Sequence, residues 1–226
     1  MTEPVTVLTI VGPWPLSLPL FCLALLFLRS ETAQVTDVMK DYGHQAFSES
    51  DVRAIKQHIW LHAIALCAIV MLSSLSKPFE LMTSVLFVVF IFRMSLIDAL
   101  TGWLPRDFTW PFTAAGFCVA WVNECLPAHA LTSLILFCIG WLISVLGECL
   151  AQREVLGLGD IWLAAGLGAW FGSPLTLFTL MVGLVGFILW HAGSRETSRG
   201  GPLGPWLGYG ALLSMALNVS DPLFMW

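Results

Sequence analysis

The chain is 226 residues long, 58% hydrophobic and only 11% charged, with a net charge of −5 and a mean hydropathy of +0.83. A soluble domain carries roughly 25% charged residues, so the composition points instead to a polytopic membrane protein built as one domain over residues 1–226. No basic stripe is present to neutralise phosphates, which excludes nucleic acid as a partner. Apolar runs near ~20 residues without period-2 alternation exclude a membrane β-barrel.

Taken in chain order, the apolar runs predict an all-α chain of about eight transmembrane helices, at residues 6–28, 58–75, 79–97, 109–126, 128–149, 160–172, 174–192 and 203–219. The first is not expected to be a cleavable signal peptide: it carries Glu3 instead of a basic leading region, and Arg29 stands on its far side. That polarity places the N-terminus outside and 29–57, the one sizeable hydrophilic stretch, in the cytoplasm as a short segment. Within it, Ser48 and Asp51 have the spacing of a helix-start box leading into the second span. Parity then makes 98–108, 150–159 and 193–202 cytoplasmic. Arg29, Lys40, Arg53, Lys56, Arg106, Arg153, Arg195 and Arg199 all fall in the four cytoplasmic segments, while Lys77 falls outside and Arg93 within a span.

The 160–172 run is short for a ~30 Å hydrocarbon core. It must tilt, borrow length from the preceding loop, or pair closely with its neighbour across Gly172-Ser173-Pro174. Its Ala164, Ala165, Gly166, Gly168 and Gly172 form a small-residue surface suited to close helix packing. Cys22, Cys67, Cys118, Cys125, Cys138 and Cys149 include no C-x-x-C pair and read as small buried hydrophobes. His58 and His62 share a helix face but have no third ligand nearby, so they read as membrane-edge histidines, and no metal site or cofactor is expected.

Two carboxylates stand apart from this pattern. Asp98 ends the third span and opens Asp98-Ala-Leu-Thr-Gly-Trp-Leu-Pro105; Asp160 closes Gly157-Leu-Gly-Asp160 and opens the sixth span. A carboxylate at the lip of a hydrocarbon slab is costly, so it marks a functional site by default. Two spans separate the pair, so the two acids share one face, cytoplasmic on the charge count. Paired carboxylates that share one proton can hydrolyse a peptide, one taking a proton from water while the other donates to the scissile carbonyl. Gly157 and Gly159 leave the backbone able to take positive φ and to approach a substrate strand closely, while Leu104-Pro105 marks a helix boundary that shapes the loop after Asp98. Arg93 reads as a snorkelling residue, Glu148 as a solvated helix end, Asp107 as a surface partner of Arg106, and Glu124 as lying at the opposite face.

In order along the chain, the Ile97-Asp98 element with Leu104-Pro105 and Thr109, the Gly157–Asp160 turn followed by Leu163-Ala-Ala-Gly-Leu-Gly-Ala-Trp-Phe-Gly172, and Pro202-Leu-Gly-Pro-Trp-Leu-Gly-Tyr-Gly-Ala211 resemble type IV prepilin peptidases. These are bacterial membrane aspartyl proteases that mature type IV pilins and pseudopilins. The resemblance covers about residues 85–215. It implies that Asp98 and Asp160 are the catalytic pair and that the partners are the lipid bilayer and a prepilin or pseudopilin with a short basic leader. It also implies a place in the bacterial inner membrane with the site at its cytoplasmic face. Many members carry two C-x-x-C pairs after the first span, linked to zinc and to methylation of the new N-terminus; residues 29–57 hold no cysteine, so leader cleavage without N-methylation is expected. Trp162 stands where the family often has a lysine. Two other readings stay open: an intramembrane protease of the presenilin or signal-peptide-peptidase type, whose first aspartate lies deeper in a Tyr-Asp setting, and a proton-coupled transporter, which would place acids near mid-span.

Overall fold

The computed structural model describes residues 14–41, 48–73, 78–152, 156–193 and 201–220. Among these the chain is wholly helical: α1 (Trp14–Asp41), α2 (Glu49–Ser73), α3 (Pro78–Thr101), α4 (Arg106–Val122), α5 (Leu126–Ala151), α6 (Leu158–Gly193) and α7 (Gly204–Ser220). Five of them, α1, α2, α3, α5 and α6, are long and apolar enough to cross a membrane, while α4 and α7 have 17 residues each. The outward faces are as apolar as the interior. On α5 alone Leu131, Leu134, Ile135, Ile139, Trp141, Leu142, Ile143 and Leu146 are exposed, a surface for lipid and not for water. The chain is an all-α, multi-pass membrane protein. Lys77, Arg153, Arg195 and Arg199 of the charge count, and residues 6–13 of the first predicted span, lie outside the described residues.

Two compact units divide the chain, Met1–Val88 and Val89–Trp226. In the first, α1 and α2 run antiparallel, with the Phe21 and Trp60 rings 5.5 Å apart and Cys67 Sγ directed at the Ser17 carbonyl at 3.6 Å. Both helices reach well into the stretch expected to be a short hydrophilic segment. A helix stops where its backbone is capped, not where the slab ends. In α1 the run past Arg29 carries Thr32, whose Oγ1 donates to the Leu28 carbonyl, and the Lys40–Asp37 pair at 2.7 Å, which bridges the last turn. At the start of α2 the Ser48–Asp51 box forms as expected: the Ser48 N–H donates to Asp51 Oδ2 at 2.8 Å and the Asp51 N–H to Ser48 Oγ at 3.2 Å. Because α2 begins at Glu49, His58 and His62 lie about three turns inside it, and both are buried. The His62 Nδ1–H donates to the His58 carbonyl at 2.9 Å.

The second unit is organised around α6, against which α4, α5 and α7 pack. The runs expected as helices 160–172 and 174–192 are two arms of α6, joined at Gly172, whose φ of 67° and ψ of −172° break the helix. Thr176 Oγ1 donates back to the Leu167 carbonyl at 3.2 Å. Nine residues along a straight helix would separate these groups by roughly 13 Å, so the chain turns sharply here. Pro174 suits the opening turn of the second arm. His129 of α5 donates from Nδ1 to the Ala169 carbonyl at 2.9 Å, satisfying an acceptor that the broken helix leaves open.

The small residues of the first arm act as predicted. A Cβ at Gly166 would sit 2.6 Å from the Phe112 ring of α4, and one at Gly168 would sit 2.9 Å from the Ser133 backbone of α5. Gly116 of α4 in turn receives Trp170, whose Nε1–H donates to the Phe112 carbonyl at 2.8 Å. Between the second arm and α7, Thr179 Oγ1 donates to Ser214 Oγ at 2.6 Å, and Gly183 lies against Leu207.

The cysteines depart from expectation. All six are free, and Cys22, Cys118, Cys138 and Cys149 are exposed. In a helix facing hydrocarbon a small apolar side chain gains little by turning inward, because the outside is equally apolar.

Candidate active site

α3 ends by a local device. Gly102, at φ +64°, donates its N–H to the Asp98 carbonyl at 2.8 Å, a left-handed stop that only glycine adopts without strain. Thr101 Oγ1 bonds the Ile97 carbonyl at 2.8 Å and receives the Trp103 N–H at 3.1 Å. The chain then runs through Leu104 and Pro105, both buried, and Pro105 occupies the cap position of α4. The helix boundary expected at Leu104-Pro105 thus falls two residues earlier, at Gly102, and the Thr-Gly pair was its signal in the sequence.

On the other side, the Gly157 carbonyl accepts the N–H groups of Asp160 at 3.1 Å and Ile161 at 3.2 Å, so the turn opens α6 with Asp160 in its first turn. That is where the helix dipole favours a negative charge. Neither Gly157 nor Gly159 has positive φ; among the described glycines only Gly102 and Gly172 do. The freedom of these glycines to take positive φ is not used, because α6 begins at Leu158, which gives residue 159 helical backbone angles. Gly159 serves close approach instead: a Cβ there would be 2.8 Å from both the Cβ and the carbonyl oxygen of Leu104. A Cβ at Gly157 would meet only Asp160 Oδ2, at 3.5 Å. Ser144 of α5 adds a further tether, Oγ donating to the Leu156 carbonyl at 3.1 Å.

The structure therefore brings Leu104, in the loop after Asp98, onto Gly159, the residue before Asp160. Asp98 itself is buried, at 4% exposure, whereas Asp160 is half-buried. Asp98 Oδ2 accepts the N–H of Gly204 at 2.8 Å. Gly204 opens α7 and lies within the Pro202–Ala211 stretch, but nothing local to it marked a role. Its only advance signal was its setting between Pro202 and Pro205, a helix-start pattern.

Trp162 packs between helices, its ring tilted against Trp110 of α4 at 5.1 Å and against Phe137 of α5 at 4.7 Å. Its bulk joins three helices one half-turn beyond Asp160. Of the other ionisable groups, Arg93 is half-buried on α3, while Glu148, Asp107 and Glu124 are exposed. Glu124 sits in the turn between α4 and α5, at the far end of α4 from Pro105. Residues 29–57 supply no thiolate for a zinc ion.

Residues 85–191, which include both aspartates, match the type IV leader peptidase family. A prepilin leader peptidase/N-methyltransferase of Dickeya chrysanthemi is 33% identical over 134 residues, 56% of this chain and 47% of that protein. The protein of the same name from Escherichia coli strain K12 is 27% identical over 175 residues, 71% of this chain and 76% of the relative. Leader peptidase HopD of Salmonella typhimurium is 33% identical over 135 residues, 55% of this chain and 86% of the relative. The chain spans about half the length of several relatives it matches, 47% of the Dickeya protein and 43% of one from Burkholderia pseudomallei. No solved structure matches.

Proposed function

The chain belongs to the type IV leader peptidase family, and from that premise we propose that it is an aspartyl endopeptidase removing short basic leaders from type IV prepilins or pseudopilins. Asp98 and Asp160 are the catalytic pair in this reading. The observation that carries it is the seat of Leu104 on Gly159, which draws the loop leaving Asp98 onto the turn that presents Asp160. Gly157 and Gly159 shape one side of the site, and Leu104 and Pro105 the other.

The chemistry follows from two acids and one proton. The ionised carboxylate takes a proton from water as the water oxygen attacks the scissile carbonyl carbon. The protonated carboxyl gives its proton to the carbonyl oxygen, producing a tetrahedral diol. As the diol collapses, one of its hydroxyls gives a proton to the ionised carboxylate, the C–N bond breaks, and the leaving amine takes a proton from the protonated carboxyl, so the pair again holds one proton. No metal or organic cofactor is needed for these steps.

The membrane setting gives the substrate its orientation. The substrate's apolar helix lies in the bilayer while its basic leader stays at the cytoplasmic face of the inner membrane, beside the acidic pair. We place that face at the ends of α3 and α5 and the starts of α4, α6 and α7. Counting the two arms of α6 separately, the chain crosses the membrane eight times as one peptidase domain, with its N-terminus outside.

The reading is tested by purifying the full chain into lipid nanodiscs and incubating it with a prepilin-like substrate. Cleavage after the leader is expected, and mass spectrometry should find an unmethylated new N-terminus. A product heavier by one methyl group, made by this chain with a methyl donor, would overturn the cleavage-only assignment; an intact leader would overturn the peptidase assignment. Because the dyad must hold a single proton, kcat/KM is expected to fall on both the acid and the alkaline side of an optimum. A rate that stays level across the range where carboxylates titrate would exclude a shared proton.

A further inference from the structure

Gly204 occupies the first position of α7, where a helix leaves its N–H groups without intrahelical acceptors. Its N–H goes to Asp98 Oδ2 at 2.8 Å, between residues 106 positions apart in the chain. The approach depends on the absence of a side chain: a Cβ at 204 would lie 2.6 Å from Asp98 Oδ2 and 3.0 Å from its Cγ. One turn on, Gly208 lies against Ser95 and Ile91 of α3. The two glycines, four residues apart, make a seam along which α7 comes close to α3. Just before the helix, Gly201 lies against His191 at the end of α6, where a Cβ would be 2.7 Å from His191 Cε1. The start of α7 is held by α6 on one side and presented to Asp98 on the other.

We propose that Gly204 is a positioning residue of the cleavage site: its backbone N–H holds Oδ2 of Asp98, fixes the carboxyl rotamer, and leaves Oδ1 for the water and the shared proton. The inference rests on the assignment of Asp98 to the catalytic pair. Glycine is the residue the geometry demands. Alanine keeps the donor but puts a methyl group where the carboxyl now sits. Proline, which a first helical position tolerates, removes the donor altogether.

The test compares kcat and KM for the full chain in nanodiscs as wild type, Gly204→Ala, Gly204→Pro, Gly193→Ala and Asp98→Asn. Both Gly204 variants are expected to lose kcat on the order of 10²-fold, the scale of a catalytic group displaced by about 1 Å. KM should stay within about twofold, since the donor touches the catalytic side chain and not the substrate. Gly193→Ala, whose new Cβ would meet nothing within 4 Å, should match wild type. Wild-type kcat in both Gly204 variants, or a loss confined to KM, overturns the inference while Asp98→Asn stays inactive; an active Asp98→Asn instead sinks the dyad itself.

Amide hydrogen exchange decides the question without any change at residue 204, should those variants fail to accumulate. Pro202 and Pro205 carry no amide hydrogen, so Leu203 is the one other amide between them, and residue-resolved exchange by NMR reads the Gly204 signal separately. Its protection should drop in Asp98→Ala while the rest of α7 exchanges as before. Equal exchange in the two chains would show that the carboxyl does not hold this N–H.

Discussion

Asp98→Asn and Asp160→Asn will each lower leader cleavage by about 10²–10⁴-fold, the range that a positioned acid or base contributes. Both variants should still accumulate in the membrane. Asparagine has the shape of the carboxyl it replaces, and its amide oxygen can still accept the Gly204 N–H that Asp98 now holds. At residue 160, in the first turn of α6, exchanging a charge for an amide loses a helix-dipole interaction of about 0.3–1 kcal/mol, too little to unfold the chain. What asparagine cannot do is take a proton from water or return one to an amine. The double variant should be no slower than the worse single, because in the proposed dyad neither acid works without its partner and the two effects do not add. Initial rates on a prepilin-like substrate, normalised to membrane-resident protein, check this. A single Asn variant that cuts at near the wild-type rate would remove that residue from the pair.

The sequence made some of this visible for physical reasons and hid the rest for others. Apolar runs locate helices well, because hydrocarbon demands that every backbone group be bonded within its own segment. The corner at Gly172 was legible in Gly-Ser-Pro, and the stacking face of α6 in its run of alanines and glycines. Helix ends were less so. Composition marks where lipid stops, but α1 runs on to Asp41 and α2 begins at Glu49, through residues charged enough to read as a loop. The cysteines misled because small apolar residues that would be buried in a soluble protein can face lipid. The two acids and the glycines before Asp160 stood out in the sequence as candidates. The contacts around them did not: Gly159 touching Leu104 and Gly204 touching Asp98 join distant stretches of chain, and no local pattern encodes which glycine must leave its side open to a distant residue.

The two glycines of the Gly157–Asp160 turn are expected to respond to alanine in opposite ways. In a helix an alanine is ordinarily favoured over glycine by about 1 kcal/mol, and Gly159 lies in the first turn of α6, so propensity alone predicts that Gly159→Ala stabilises. The contact reverses the sign. A new Cβ would fall 2.8 Å from the Leu104 Cβ and from its carbonyl oxygen. Both atoms belong to or hang directly from the backbone, and Leu104 is buried, so neither can swing aside. Overpacking of this kind costs about 1–3 kcal/mol, and relief comes only by moving the loop after Asp98 away from the start of α6. That movement parts the two segments that carry the acids, so activity should fall on the order of 10²-fold, more than the change in melting temperature would suggest. Gly157→Ala faces no such obstacle. Its Cβ would meet only Asp160 Oδ2, at an ordinary 3.5 Å, and the residue does not have positive φ, so most of the rate should survive. Side-by-side kcat and thermal melting of the two variants in nanodiscs separate the cases. Equal loss in both would mean that the turn is needed for its flexibility, and equal retention would mean that the Leu104 contact does not hold the acids together.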